Sequence, residues 1–330
     1  MQTNVLSRVA KQALLVLAAS AFAVSAYAAE VTKGKFSTDV QPGHPKAVSF
    51  EKFAGLVKER TDGRVDIAVF PSSQLGGEME TADGMRLGSV EMGSITTSVL
   101  ASWVPEVQII DLPFLFRDDD HAVKATAWLA ERLAAKFEAQ GFQLLAFTIN
   151  GARQPMSTFP IRTPEDVVGK KMRVIQSPLH IALWKEMGAN PVPIPAPEIY
   201  TSLQTGVVDF FDNTPTNYLS FKFYEVAPFY TNLSHIYAVG AWVASESWFN
   251  KLSEADQKTV IDTAREIVPE IHQLLAEQDK VSLAKTQEMG ATIIAVDDKA
   301  PWQGKMAPIW EEYGEKIPDG AEMIKAISAM

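Results

Sequence analysis

Residues 169–218 read GKKMRVIQSPLHIALWKEMGANPVPIPAPEIYTSLQTGVVDFFDNTPTNY, and this stretch decides the fold. Lys171–Ile175 is a short strand whose alternation sets Met172 and Val174 against Arg173 and Ile175. A helix follows and stops at Gly188, a proline-rich crossover leads to a second helix stopped at Gly206, and a further strand delivers Asp212 and Asn213. This alternation is an α/β lobe, with polar groups at the strand ends where ligands sit in such sheets.

Upstream, Phe142–Ile149 is a nearly unbroken apolar run, the pattern of a strand covered by helices on both faces. It ends in Asn150-Gly151-Ala152-Arg153, read as the first crossing between lobes. An amphipathic helix spans His121–Gln140, and Thr163-Pro164-Glu165-Asp166 predicts a capped helix start. Nearer the N-terminus, Phe50, Phe53, Ala54 and Val57 share one helical face, and Val65, Ile67 and Val69 alternate as a strand. A turn-rich loop from Pro71 to Gly77 leads to a helix beginning near Glu78, where an acid suits the helix dipole. Gly93–Ser98 is a small polar loop. Leu112, Phe114 and Phe116 read as packing around the Pro113 turn, not as walls of a site. Downstream, Tyr237–Val243 is a returning strand. Ser253–Met289 is a helical pattern only mildly interrupted at Pro269 and long enough to brace two lobes.

The chain opens with Arg8 and Lys11, an apolar run from Ala13 to Val24, and Ala26-Tyr27-Ala28. These are the parts of a cleavable export signal over residues 1–28, with no membrane insertion after cleavage. Its loss would carry the formal charge from −10 to about −12. Nucleic acid and anionic membrane surfaces are thereby poor partners, and an anionic ligand would need a local cluster of cations. There is no cysteine, which removes thiol catalysis and thiolate metal sites. The five histidines, at 44, 121, 180, 235 and 272, include no pair spaced for a metal. Neither cofactor nor metal is expected.

Five short motifs carry a family resemblance: FPSSQLGGE at 70–78, DLPFLF at 111–116, NGAR at 150–153, PEDVVGKKMRV at 164–174 and QTGVVD at 204–209. In this order and spacing, from about His44 to the C-terminal helices, the chain resembles the DctP-type solute-binding subunit of tripartite ATP-independent periplasmic (TRAP) transporters. The resemblance implies an α/β, two-lobed periplasmic binding protein fold, type II-like, with an interlobe cleft and a long bracing helix. It places lobe 1 at 29–151 and 238–280, and lobe 2 at 152–237 and 281–330. It also implies a periplasmic monomer that is not an enzyme, closes around a small organic acid and serves a TRAP membrane permease.

Arg173 on pattern alone is a surface or salt-bridged arginine; the resemblance gives it the ion pair with a ligand carboxylate, which its planar fork of donors suits. Arg153 matches the family's second cation and Asn213 its polar anchor. His44, at a helix start facing the cleft, and Glu78, a hydroxyl acceptor, join the implied site, as do Thr96, Asn150 and Gln176. Where the family commonly has DGQEN, this chain has Asp209-Phe210-Phe211-Asp212-Asn213. Phe210 and Phe211 either pack under the strand or narrow the pocket, and Tyr218 and Trp184 are open in the same way; of the four, Phe211 and Tyr218 are carried as candidate site residues. Thr81 stands where some sialic-acid binders have arginine, which disfavours that ligand. The set suits a sugar acid such as a uronate or aldonate. C4-dicarboxylates, with a second carboxylate on Arg153, and aromatic or keto acids stay open. From a different class, an exported hydrolase or lyase would use Glu78 and Asp212 as paired carboxylates, but no nucleophile elbow, metal motif or phosphate loop accompanies them.

Overall fold

The computed structural model describes residues 31–330; the export signal expected over residues 1–28 lies outside the described residues. Thr32–Met330 packs as one compact unit. In chain order it comprises β1 (Thr32–Ser37), α1 (Pro45–Arg60), β2 (Val65–Phe70), α2 (Glu78–Leu87), β3 (Met92–Thr96), α3 (Thr97–Leu100), α4 (Asp119–Glu138), β4 (Phe142–Ser157) and β5 (Lys171–Val174). There follow α5 (Pro178–Glu186), β6 (Asn190–Pro193), α6 (Ile199–Gln204), β7 (Phe210–Asn213), α7 (Pro215–Ser220), β8 (Phe229–Asn232), β9 (Ile236–Ser245) and α8 (Glu246–Phe249). The last elements are α9 (Glu254–Glu288), β10 (Thr292–Ala295), α10 (Ala300–Gly304), α11 (Ala307–Lys316) and α12 (Gly320–Ser328).

The fold is the two-lobed α/β arrangement, and β4 joins its two sheets. The strands run β2-β1-β3-β9-β4-β7-β5-β6, with β8 on β4 and β10 on β8. Antiparallel pairing of β4 with β9 continues as far as Arg153 opposite Ile236; from Gln154 onward β4 pairs with β7 instead. The change of partner follows a register irregularity at Ile149/Gly151, where Gly151 has a φ of +104° that side-chain-bearing residues rarely adopt. Parallel pairs β1/β2 and β1/β3 complete the first sheet, and β5/β7 and β5/β6 the second. The β6 edge carries Pro191 and Pro193, which blunt it against pairing.

Local chemistry accounts for the helix boundaries. Asp118 caps α4 by accepting the His121 N–H at 2.7 Å, and Ser253 caps α9 by accepting the Asp256 N–H at 3.1 Å. The 35 residues of α9 continue through Pro269, giving a rod of about 52 Å at 1.5 Å per residue. It lies against α1, β4 and α7, and so touches elements attached to both sheets. On the α1 side Arg60 grips Glu266 with two hydrogen bonds of 2.8 and 2.9 Å. The predicted helix start at Thr163 is a single 3₁₀ turn, Pro164–Val167, carrying the capping box of Thr163 and Asp166. Glycine and the strand onset at Lys171 leave it no room to lengthen. Among the described residues no helix is long and apolar enough to cross a membrane.

Candidate functional site

The sheet order places β5 next to β7 and β7 next to β4, so Arg173, Asp212 and Arg153 come from three adjacent strands. Arg153 and Asp212 are 59 residues apart yet form a two-pronged ion pair, Nε to Oδ2 at 3.0 Å and Nη2 to Oδ1 at 2.5 Å. His235 Nε2 donates to the same Asp212 Oδ2 at 2.9 Å. Asp212 is fully buried; burial alone would raise its pKa, but Arg153 and His235 outweigh it and hold the carboxyl well below its usual range. Asp212 is therefore a permanent buried anion. It has no means of exchanging a proton with a substrate, which removes it from the paired-carboxylate reading.

Arg173, by contrast, has no ion-pair partner among the described residues. It is 4% exposed, its Nε donates to the Ile194 carbonyl at 2.7 Å, and among the described residues its terminal nitrogens have no hydrogen-bond partner. Burial first, and then the Arg153 charge, lower its pKa to about 10. The negative charge of a bound carboxylate would oppose both effects and raise the pKa again. Arg153 differs from the expectation of a second free cation, because its charge is already matched by Asp212.

Across from these strands, Glu78 opens α2 and reaches β3. Its Oε1 accepts the Thr96 N–H at 2.6 Å and the Thr96 hydroxyl at 2.8 Å. Thr96, expected to offer its hydroxyl to a ligand, has committed that proton to Glu78 and acts by fixing the carboxylate. Burial, then the nearby Asp39, push the Glu78 pKa up to about 7 against the opposing pull of Thr96 and Lys46. Asn150 stands on β4 beside Gly240 of β9, where a Cβ would come within 2.9 Å of Thr148 Oγ1 and 3.1 Å of Asn150 Nδ2. The glycine thus makes room for both polar side chains.

His44 is the N-cap of α1, and that role fixes its chemistry. Nδ1 accepts the Lys46 backbone N–H at 3.1 Å, so the proton sits on Nε2, which donates to Asn217 Oδ1 at 3.2 Å. Burial and the Lys46 charge lower the His44 pKa to about 3, so the ring is neutral and is no carboxylate anchor. The bonding continues from Asn217 Nδ2 to Asn213 Oδ1 at 2.9 Å; Asn213 Oδ1 also accepts the Thr214 N–H at 2.9 Å. Asn213 is left with its amide donors. His44 and Asn217 thereby tie α1 of one sheet to α7 beside the other.

Two candidate site residues, open between pocket and core, belong to the core. Phe211 is fully buried and packs on Phe223 with ring centroids 4.8 Å apart. Tyr218 is fully buried, rests against Tyr230 and donates its hydroxyl to the Ala227 carbonyl at 2.6 Å. The apolar cluster under α6 and α7 draws both in, leaving no surface for a ligand. Phe210 and Trp184 likewise pack edge to face, 5.3 Å apart, in the large core. Gln176 follows β5 and is half-buried. Sequence reasoning missed Asn217 and His235.

The family model described as bacterial extracellular solute-binding protein, family 7 (DctP) matches residues 36–316. A 2,3-diketo-L-gulonate-binding periplasmic protein of Escherichia coli is 30% identical over 318 residues, 96% of each chain. A C4-dicarboxylate-binding periplasmic protein of Rhodobacter capsulatus is 32% identical over 89% of this chain and 90% of its own. Among crystal structures, a TRAP periplasmic solute binding protein of Xanthobacter autotrophicus with bound β-D-galacturonate superposes with a TM-score of 0.86. It is 31% identical, covering 90% of this chain and 99% of its own. One from Polaromonas with bound D-erythronate gives the same TM-score and identity, over 91% and 99%. The chain belongs to family 7 of the bacterial extracellular solute-binding proteins.

Proposed function

We propose that this protein captures a sugar acid, a uronate or aldonate, in the periplasm and delivers it to a TRAP permease, as an exported monomer. The observation that carries the reading is Arg173, a buried guanidinium with two unpartnered terminal nitrogens beside an already neutralised Arg153–Asp212 pair. One cation without an ion-pair partner at this end, among the described residues, matches one carboxylate. The hydroxyls would meet Glu78, Asn150, Gln176 and the amide donors of Asn213. Relatives with bound galacturonate, glucuronate and erythronate support the ligand class. The C4-dicarboxylate reading, favoured by the Rhodobacter capsulatus relative, is weakened because Arg153 is occupied by Asp212.

We take the lobes as 29–151 with 238–280 and 152–237 with 281–330, because β4 exchanges β9 for β7 just beyond this boundary. Residues 1–28 serve as the export signal. The test is isothermal titration of the purified mature protein with D-glucuronate, D-galacturonate, D-gluconate, succinate and an aromatic acid. Micromolar or tighter binding confined to the sugar acids is expected. Binding of succinate or the aromatic acid alone would overturn the ligand class.

A further inference from the structure

A directional chain of hydrogen bonds runs from α1 beside one sheet to Asn213 of the other, and Asn217 is its central link. It begins at a backbone donor, the Lys46 N–H, which gives to His44 Nδ1 at 3.1 Å. A backbone amide cannot reverse its role, so the ring proton sits on Nε2 and goes to Asn217 Oδ1 at 3.2 Å. With that oxygen engaged, Asn217 turns its amino group to Asn213, and Nδ2 donates to Asn213 Oδ1 at 2.9 Å. A second backbone donor, the Thr214 N–H, gives to the same oxygen at 2.9 Å. Both ends of the chain are pinned by groups that can only donate, so no link can turn round without breaking a bond to its neighbour.

Asn213 is left with its oxygen doubly engaged and its Nδ2 without a partner among the described residues. The residue is 7% exposed, and Nδ2 is not one of the fully enclosed unsatisfied atoms, so its donors reach open space. They do so at the end of β7, one residue past Asp212, on the strand beside the one that carries Arg173. A free asparagine amide could present either its oxygen or its nitrogen there. This one presents its nitrogen. Asn217 itself is half-buried on α7, outside the strands that carry the charges.

We propose that Asn217 is a positioning residue for ligand binding: without touching the ligand, it holds Asn213 as an obligate hydrogen-bond donor to a ligand oxygen. The inference rests on the reading of this site as a receptor for an organic acid and deepens it. A hydroxyl or carboxylate oxygen meets a donor at this point, whereas a ligand N–H would meet another N–H and is refused. Fixing the amide before the ligand arrives also removes a rotational choice that binding would otherwise have to freeze. Without Asn217, only the local contact with the next residue, Thr214, restrains the amide.

The test is a double-mutant cycle on the mature protein: Asn217→Leu, Asn213→Ala and the two together. Each is titrated calorimetrically with D-glucuronate at a temperature where ligand-free melting shows it folded. Leucine keeps the approximate size of Asn217 and removes both of its links. We expect Asn217→Leu to weaken binding about five- to tenfold, the loss of about one oriented hydrogen bond. Asn213→Ala should weaken it at least as much. On the Asn213→Ala background, Asn217→Leu should add less than about twofold, because the amide it positions is gone. A merely structural Asn217 would lower the ligand-free melting temperature and leave the affinity of the folded variant within about twofold of wild type, which would overturn the proposal. Full additivity of the two substitutions, or wild-type affinity in Asn213→Ala, would overturn it as well. Should Asn217→Leu fail to fold, Asn217→Ser supplies the same cycle. If wild type binds succinate but no sugar acid, the sugar-acid reading falls while the cycle, run with succinate, still decides the role of Asn217; if it binds no acid, both fall.

Discussion

Replacing Arg173 by methionine separates its work in binding from its work in folding. In the empty site the guanidinium is held at a pKa of about 10 against an ordinary 12.5, which corresponds to about 3 kcal/mol of unfavourable charge environment. Its one internal hydrogen bond, Nε to the Ile194 carbonyl, offsets this; losing it leaves a buried acceptor unpaired at a cost of about 1–3 kcal/mol. These terms nearly cancel, so the ligand-free melting temperature should move by no more than about 4 °C. Binding behaves differently. Removing one member of a desolvated, hydrogen-bonded charge pair costs about 2–5 kcal/mol, a loss of roughly thirtyfold to several thousandfold in affinity for D-glucuronate. Calorimetric titration of wild type and Arg173→Met, with differential scanning fluorimetry of both, reads the two quantities. An affinity within threefold of wild type would refute the carboxylate anchor. A fall of more than about 10 °C without ligand would show that Arg173 serves the fold.

Glu78 sets a pH dependence of known sign. Its pKa rises from 4.5 to about 7 in the folded protein, so the folded state holds the proton more tightly than the unfolded one. The associated stability is complete below about pH 4.5 and is lost as pH rises through 7, by up to about 3 kcal/mol. Urea unfolding at pH 4.5, 6 and 8 should show wild type losing stability relative to Glu78→Gln across that range; parallel profiles would count against a protonated Glu78. Phe211→Ala should cost about 3–5 kcal/mol of stability and leave glucuronate affinity within threefold at a temperature where the variant is folded. A selective loss of affinity with little loss of stability would return Phe211 to the pocket.

Much of the architecture is legible in one sequence because its causes are local. The strand around Arg173, the 35-residue α9 with its Ser253 cap, and the glycine stops follow from periodicity and capping chemistry between neighbours in the chain. The same local reading put Glu78 at a helix start and Arg173 on a strand between two apolar neighbours. What alternation cannot state is which strand lies alongside. Only the order β4-β7-β5 brings Arg153 onto Asp212 and leaves Arg173 unmatched, and the partners are 59 residues apart. Phe211 shows the same limit, since its period fits a pocket wall as well as a core, and Phe223 and Tyr230 decide for the core. His44 was readable as a residue before a helix, but its neutrality depends on burial and on Lys46. The sequence by itself determined the elements, their boundaries and the stock of charges. Tertiary structure alone decided which charges cancel, because Coulomb energy and desolvation depend on distances in space that a linear pattern does not contain.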